Sequence, residues 1–299
     1  MDRYLSICAA YRNEAPYLRE WIEFHRLVGV EHFYLYDNRS EDDHLAALAP
    51  YVEAGIVTLT DWPLMPGQCQ AYRDCIERRR DETRWIACID LDEFLFSPTL
   101  RPVSELLAAY EAFPGVGVNM GLFGSSGHRE PPQGLSIETY LSRGTEEARY
   151  VGAVKSVVDP TRALRCCEDE TNPHGFIYAD GGLAVNELMQ PIDRDPPTVN
   201  MPVSYDRLRL NHYWMRSEQE WRKKMESPMA CDAKRRGIPA DRFARFDALY
   251  SKVPDETILP YAPAVHTALA QPAAPVSIET PAISGNEDTL GEERRVGSG

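Results

Sequence analysis

Trp85-Ile86-Ala87-Cys88-Ile89-Asp90-Leu91-Asp92-Glu93-Phe94-Leu95-Phe96 is the stretch on which the fold turns. Residues 85–89 form a short, wholly apolar run, the composition of a strand buried on both faces. It runs without a spacer into three acids, and apolar residues resume at once. Upstream, a helix is predicted over residues 68–80, preceded by a strand at 56–59. Leu45, Leu48 and Tyr51 mark a short helix with Gly55 just past its end. Residues 32–36 read as a strand closing on Asp37-Asn38-Arg39-Ser40. Before that, Leu18, Trp21, Ile22, Leu27 and Val28 carry a helical period, with Pro16 suited to its first turn. Residues 4–10 are a first strand, followed by Arg12-Asn13-Glu14. The quoted run is therefore a fourth strand in a strand–helix alternation. Such alternation implies βαβ units, an α/β fold with a mainly parallel central sheet and helices on both faces. Ligands of such sheets bind at the strands' carboxyl ends, where Asn13, Asp37 and Asp90 all fall.

Downstream the pattern loosens. A helix is expected over 103–110, and strands over 116–122, 150–158 and 176–179. Gly121-Leu122-Phe123-Gly124-Ser125-Ser126-Gly127 follows the first of these; its glycines would let backbone approach a ligand closely, or form a surface loop. It lacks the Lys-Ser/Thr ending of a phosphate-binding P-loop. Ser217 and Glu220 have the spacing of a capping box for a helix over 217–226. Beyond residue 258 the chain is rich in Pro, Ala, Thr and Glu. One domain over 1–258 and a disordered tail over 259–299 are expected.

A net charge of -14 excludes a nucleic-acid binder, because phosphate backbones demand a basic footprint. A nucleotide diphosphate is a different matter, since a metal and a few local cations offset its charge. No signal peptide and no transmembrane segment are read, and the seven cysteines, odd in number and without C-x-x-C spacing, suit reduced thiols. The expected location is the cytoplasm.

Two carboxylates one residue apart at a strand end repel unless a cation lies near. In an extended chain, residues two apart point the same way, so Asp90 and Asp92 would share a hard divalent ion such as Mn²⁺ or Mg²⁺. That ion neutralises charge growing on a departing diphosphate. The bland alternative is a solvated turn; the apolar flanks weigh against it. A phosphatase using D-x-D carries the pair after its first strand, whereas here it follows the fourth.

These segments resemble the GT-A glycosyltransferases. Ala10-Tyr11-Arg12-Asn13-Glu14 is similar to their opening turn, Asp37-Asn38-Arg39-Ser40 to the end of their second element, and Asp90-Leu91-Asp92-Glu93-Phe94 to their metal-binding motif. Further matches are Gly67-Gln68 with Tyr72, Phe123 through His128, Gly134-Leu135 with Glu138, and Asn211-His212-Tyr213-Trp214 with Ser217 and Lys224. Together they resemble glycosyltransferase family 92 and its bacterial relatives similar to family 2. Lys155-Ser156 departs from the family by leading to Asp159-Pro160.

The resemblance implies a GT-A (Rossmann-like) fold, with residues 1–122 as the nucleotide-sugar half and 123–258 as the acceptor half. It implies a hexosyltransferase acting with inversion on a nucleotide-sugar donor, a UDP-sugar, and on a glycan or other hydroxyl acceptor. Tyr11, Arg12, Asn13, Glu14, Asp37, Gln68, Asp90 and Lys155 are then candidates for nucleotide-sugar binding, and Asp90, Asp92 and His212 for Mn²⁺ or Mg²⁺. Asn13 and Asp37 equally suit turns. Inversion needs a general base, for which Glu138 and Asp169 are the candidates, with His128 and His174 behind them. A non-catalytic sugar-binding protein of the same fold and a sugar nucleotidyltransferase are the alternatives; the latter would carry a basic glycine-rich loop where Tyr11-Arg12-Asn13-Glu14 stands.

Overall fold

A computed structural model describes residues 1–65, 67–146, 152–166, 172–193, 198–226, 242–271 and 273. The first third alternates as expected: β1 (Arg3–Tyr11), α1 (Ala15–Leu27), β2 (His32–Asp37), α2 (His44–Glu53), β3 (Val57–Asp61), α3 (Gln68–Arg79) and β4 (Thr83–Cys88). Then come β5 (Glu93–Phe96), α4 (Val103–Leu107), β6 (Gly115–Leu122), the one-turn α5 (Ser136–Thr139) and β7 (Ser142–Arg143). The remainder holds β8 (Val154–Val158), β9 (Ala163–Cys166), β10 (Phe176–Tyr178), β11 (Arg209–His212), α6 (Glu218–Glu226), α7 (Arg242–Tyr250), β12 (Val253–Pro254) and α8 (Ala262–Leu269).

Eight strands form one sheet in the order β3-β2-β1-β4-β8-β6-β11-β5. The β3-β2-β1-β4 half is parallel throughout. In the other half β8 runs antiparallel to both β4 and β6, β11 is parallel to β6, and β5 closes the edge antiparallel to β11. Side chains alternate across β1. Leu5, Ile7 and Ala9 join the core under α1 and α2, while Cys8 joins the core under α3. Helices thus cover both faces, the α/β arrangement expected and the one the GT-A resemblance implies.

Consecutive in sequence, β4 and β5 stand four places apart in the sheet. Laid flat, that is about 19 Å at the usual strand spacing. The few residues between Cys88 and Glu93 reach about 17 Å fully extended, and here they turn, so the sheet curls its edge back toward its middle. The acidic turn lies where that curl closes.

Phe94-Leu95-Phe96 belongs to an edge strand, and one expectation is corrected: the chain remains ordered past residue 258. Leu259–Tyr261 forms a 3-10 turn leading into α8, burying Ile258, Tyr261, Ala262 and Val265. Tyr261 rests its ring on Phe24 and Phe96 and donates its hydroxyl to the Ser97 carbonyl at 2.8 Å. The apolar stripe Ile258, Tyr261, Val265 has helical spacing, hidden within a Pro/Ala-rich composition. The described cysteines, Cys8, Cys69, Cys75, Cys88 and Cys166, are all buried. Among the described residues no helix is long and apolar enough to cross a membrane.

The C-terminal strands are tied to the sheet by one carboxylate. Asp255 Oδ2, after β12, accepts from Arg143 Nε on β7 at 2.6 Å and from Arg209 Nη2 on β11 at 2.6 Å. Burial works against the charge, but Arg209 and Arg143 prevail and hold its pKa down at about 2. A depressed carboxyl stabilises the fold above the unfolded value and stops doing so as pH falls through the folded one. Asp255→Asn is therefore expected to cost about 2–3 kcal/mol at neutral pH, with parent and variant converging between about pH 4 and pH 2. Urea midpoints across that range test it; a gap that persists at pH 2 would contradict the assignment.

Candidate active site

The acidic turn is held by backbone before any ligand is considered. Glu93 N donates to the Asp90 carbonyl at 3.1 Å, and Asp90 N donates back to Glu93 Oε2 at 2.8 Å. Tyr213 N, just beyond β11, donates to the Asp92 carbonyl at 2.8 Å. From α1, Trp21 Nε1 donates to the Glu93 carbonyl at 2.8 Å, and His25 Nε2 accepts from Leu95 N at 3.1 Å. The other ring nitrogen of His25 donates to the Trp21 carbonyl at 2.8 Å, and burial lowers its pKa to about 3, so the ring stays neutral. Two side chains of α1 thus satisfy the outward polar groups of edge strand β5.

Around this turn the side chains form a continuous run of charge. Asp90 Oδ1 meets Lys155 Nζ at 3.0 Å and accepts from Tyr72 OH at 3.2 Å and from Gln68 Nε2. Gln68 opens α3 directly after Gly67, where a Cβ would stand 2.4 Å from the Leu64 carbonyl. Lys155, from β8 and only 1% exposed, also reaches Glu93 Oε2 at 3.4 Å. Asp92 accepts from Lys224 of α6 through Oδ2, and its Oδ1 lies 3.4 Å from His212 Nε2. His212 Nδ1 is 3.5 Å from Glu93 Oε1. Arg216 binds Glu14 Oε2 at 2.7 Å and sets its guanidinium 3.5 Å from the centre of the Tyr17 ring.

Burial alone would raise the pKa of every acid in this run. For Asp90 the Lys155 ammonium prevails and lowers it. For Asp92, Lys224 and then His212 hold it well below the ordinary range. Glu93, fully enclosed, is pushed up to about 7 by burial, with Lys155 pulling the other way. Glu14 is raised by burial in spite of Arg216. The extended-chain argument for a shared direction is thereby corrected. Asp90 and Asp92 sit in a turn, and each faces its own lysine.

Other candidates lie at the same sheet end with other work to do. Tyr11 is buried, its hydroxyl 2.7 Å from His44 Nδ1, and Arg12 is exposed and pairs with Glu41 at 3.1 Å. Asn13, at φ +57°, accepts from Glu41 N at 2.7 Å, and Asp37 accepts from Ser40 N at 3.0 Å. Both side chains shape turns. Glu138 stands outside the charged run, against His266 of α8 at 2.9 Å. His128 faces the Thr139 carbonyl and His174 the Val154 carbonyl. Asp169 lies outside the described residues. Gly124 packs where a Cβ would stand 2.7 Å from Tyr250 backbone, a close fit to α7 rather than to a sugar. Glu93 and Arg216 were passed over in the sequence; the only signal was an acid adjoining Phe94 and an arginine four residues after His212.

The donor set suits a hard divalent ion at one point. Two ligands about 2.1 Å from one ion stand roughly 3.0–3.4 Å apart, the separation that Asp92 Oδ1 and His212 Nε2 already show at 3.4 Å. Among the described residues no group of three or more His, Cys, Asp or Glu side chains makes a cation cage. An ion here would draw further ligands from substrate phosphates, the common habit of Mg²⁺.

The glycosyltransferase family 92 model matches residues 3–170. A family 92 protein of Oryza sativa subsp. japonica is 31% identical over 61% of this chain and 31% of its own length. A galactan beta-1,4-galactosyltransferase of Arabidopsis thaliana is 32% identical over 34% of this chain and 23% of its own. Among solved structures, S. aureus TarS 1-349 in complex with UDP is similar over 53% of this chain and 47% of that one, at 14% identity and a TM-score of 0.37. The chain spans about a third of the length of the curated family 92 relatives it matches.

Lys155 is the fully buried cation of this run, facing both Asp90 and Glu93. Lys155→Met leaves those acids uncompensated and is expected to cost about 3–5 kcal/mol of stability. Adding Glu93→Gln, which removes one buried charge, is expected to recover part of that loss. Guanidinium denaturation of the parent, single and double variants checks both; a neutral single variant would refute the pairing.

Proposed function

The chain belongs to glycosyltransferase family 92, and from that membership we propose that it is a metal-dependent enzyme moving a hexose from a UDP-sugar to a hydroxyl of a glycan or other acceptor, with inversion. One observation carries the reading: Asp92 and His212 approach each other at the carboxyl ends of the strands, with Lys224 on the same carboxylate. Galactosyl transfer, named for the Arabidopsis relative, supports a hexose donor.

In this reading Asp92 and His212 hold Mn²⁺ or Mg²⁺. When bound, that ion neutralises charge developing on the leaving diphosphate. Lys224 and Arg216, both electrostatically close to Asp92, supply further positive charge for phosphate oxygens. Asp90 is kept ionised by Lys155 and aimed by Tyr72 and Gln68, which suits it to receive hydroxyls of the donor or to complete the ion's shell. Glu14, anchored by Arg216, extends the same wall toward the end of β1. The base that takes the acceptor's proton is sought between Glu138, whose carboxyl faces His266 of α8, and Asp169. The buried thiols of Cys8, Cys69, Cys75 and Cys88 fit a cytoplasmic setting.

Asp92→Asn is expected to abolish Mn²⁺-dependent UDP binding while leaving the fold intact. Calorimetric titration of UDP with and without Mn²⁺, beside circular dichroism, measures it. Parent-like, Mn²⁺-dependent binding by the variant would end the proposal. Hydrolysis of UDP-galactose by the parent in the presence of Mn²⁺ would separate an enzyme from a protein that only binds sugar nucleotides.

A further inference from the structure

The His212 ring has two unlike sides. Nε2 faces Asp92 Oδ1, and the side chain retains 17% of its exposure. Nδ1 is turned inward, buried, and has no hydrogen-bond partner among the described residues. Opposite it, 3.5 Å away, is Glu93 Oε1, equally buried and equally without a hydrogen bond. Glu93 itself is 0% exposed, and its other oxygen is fixed by Asp90 N at 2.8 Å and faced by Lys155. Two buried, unsatisfied polar atoms facing each other carry a desolvation cost that closing the gap by about 0.5 Å would remove.

We propose that Glu93 is a positioning residue: it receives the Nδ1 proton of His212, fixing the ring's tautomer and orientation so that the Nε2 lone pair is presented beside Asp92. The role goes beyond the metal reading and rests on it for its purpose, since a histidine binds a metal through one nitrogen only when the proton is held on the other. β5 and β11 are paired so that His212 lies directly across from Glu93. The same strand pairing therefore brings the orienting carboxylate to the imidazole. Glu93 also ties the Asp90 backbone, so the D-x-D turn and the histidine share one support.

The test reads the proton directly, on metal-free protein labelled with ¹⁵N-histidine at pH 8, with the His212 signal assigned by its loss in His212→Gln. Long-range ¹H–¹⁵N spectra are expected to show the Nδ1–H tautomer in the parent and to lose it in Glu93→Gln, whose single amide oxygen is taken by Asp90 N, leaving its NH2 to face Nδ1. In Glu93→Ala the tautomer is expected to shift to Nε2–H or to an exchanging mixture. Calorimetric Mn²⁺ affinity should fall about 10- to 100-fold in Glu93→Ala. Asp92→Asn should lose Mn²⁺ while keeping the Nδ1–H tautomer. A parent His212 protonated on Nε2, or on both nitrogens, overturns the proposal without any variant, so an unfolded Glu93→Ala does not shield it. An unchanged tautomer in folded Glu93→Ala overturns it as well. A parent that binds no Mn²⁺ but shows the Glu93-dependent tautomer sinks the metal reading and leaves the positioning role standing.

Discussion

The structure depends on one ammonium inside the sheet. Lys155 enters from β8, the strand that joins the parallel half to the mixed half, and lies against Asp90 and Glu93. A lysine and an acid withdrawn from water, beside a second acid at the surface edge, are costly unless each offsets the other. That condition fixes the end of β4, the start of β5 and the middle of β8 relative to one another. It also divides the acids by role. Asp90 and Asp92 stay ionised next to their lysines, while Glu93, wholly enclosed, is drawn toward the neutral form. Neighbouring carboxyls of one turn thereby come to hold different charges at one pH.

Around that centre the chain supplies rigid support. The edge strand β5 would otherwise leave polar groups facing outward, and α1 meets them with Trp21 and His25. The same helix takes α8 on its other side through Phe24 and Tyr261. At the far end of the site, Ser217 and Glu220 form the reciprocal cap that opens α6, and α6 delivers Lys224 to Asp92. Sites carried on regular elements with locked side chains hold their geometry better than sites on loops.

The parallel half of the sheet was legible because its strands are short apolar runs separated by helices with clear periods. Its pairing and the ligand end of its strands follow from the handedness and burial of such units. The mixed half was not. Residues 94–96 show no alternation because β5 is covered on both faces, and β11 is four residues within a polar stretch. Asp90, Asp92 and His212 were identified as a group; Asp92 and His212 meet, while Asp90 faces Lys155. Their mutual geometry was not accessible, since the spacing argument assumed an extended chain where a turn forms. Glu93 and Arg216 carry only the faint signal of their neighbours; their importance comes from strands and loops more than a hundred residues apart meeting at one point. Glu138 drew attention through a sequence match, and its contacts place it beside α8.

A chain with net charge -14 must still welcome a diphosphate if it is to act on a sugar nucleotide. The distribution of charge resolves this. Lys155, Lys224 and Arg216 converge with His212 upon Asp90, Asp92, Glu93 and Glu14, a local balance quite unlike the acidic whole. Within a partly dry site, fixed charges act at closer to their full strength than on a screened surface. The lysine against Asp92 offsets that carboxylate in the absence of an ion. In the proposed reading, a cation held by Asp92 and His212 would take over that offset and leave the Lys224 ammonium for phosphate oxygens, exchanging one set of ion pairs for another instead of creating charge in a buried space. On that reading, coupling of metal to nucleotide would follow from the electrostatics of the turn, since the ammonium displaced by the cation would find its new partner on the diphosphate.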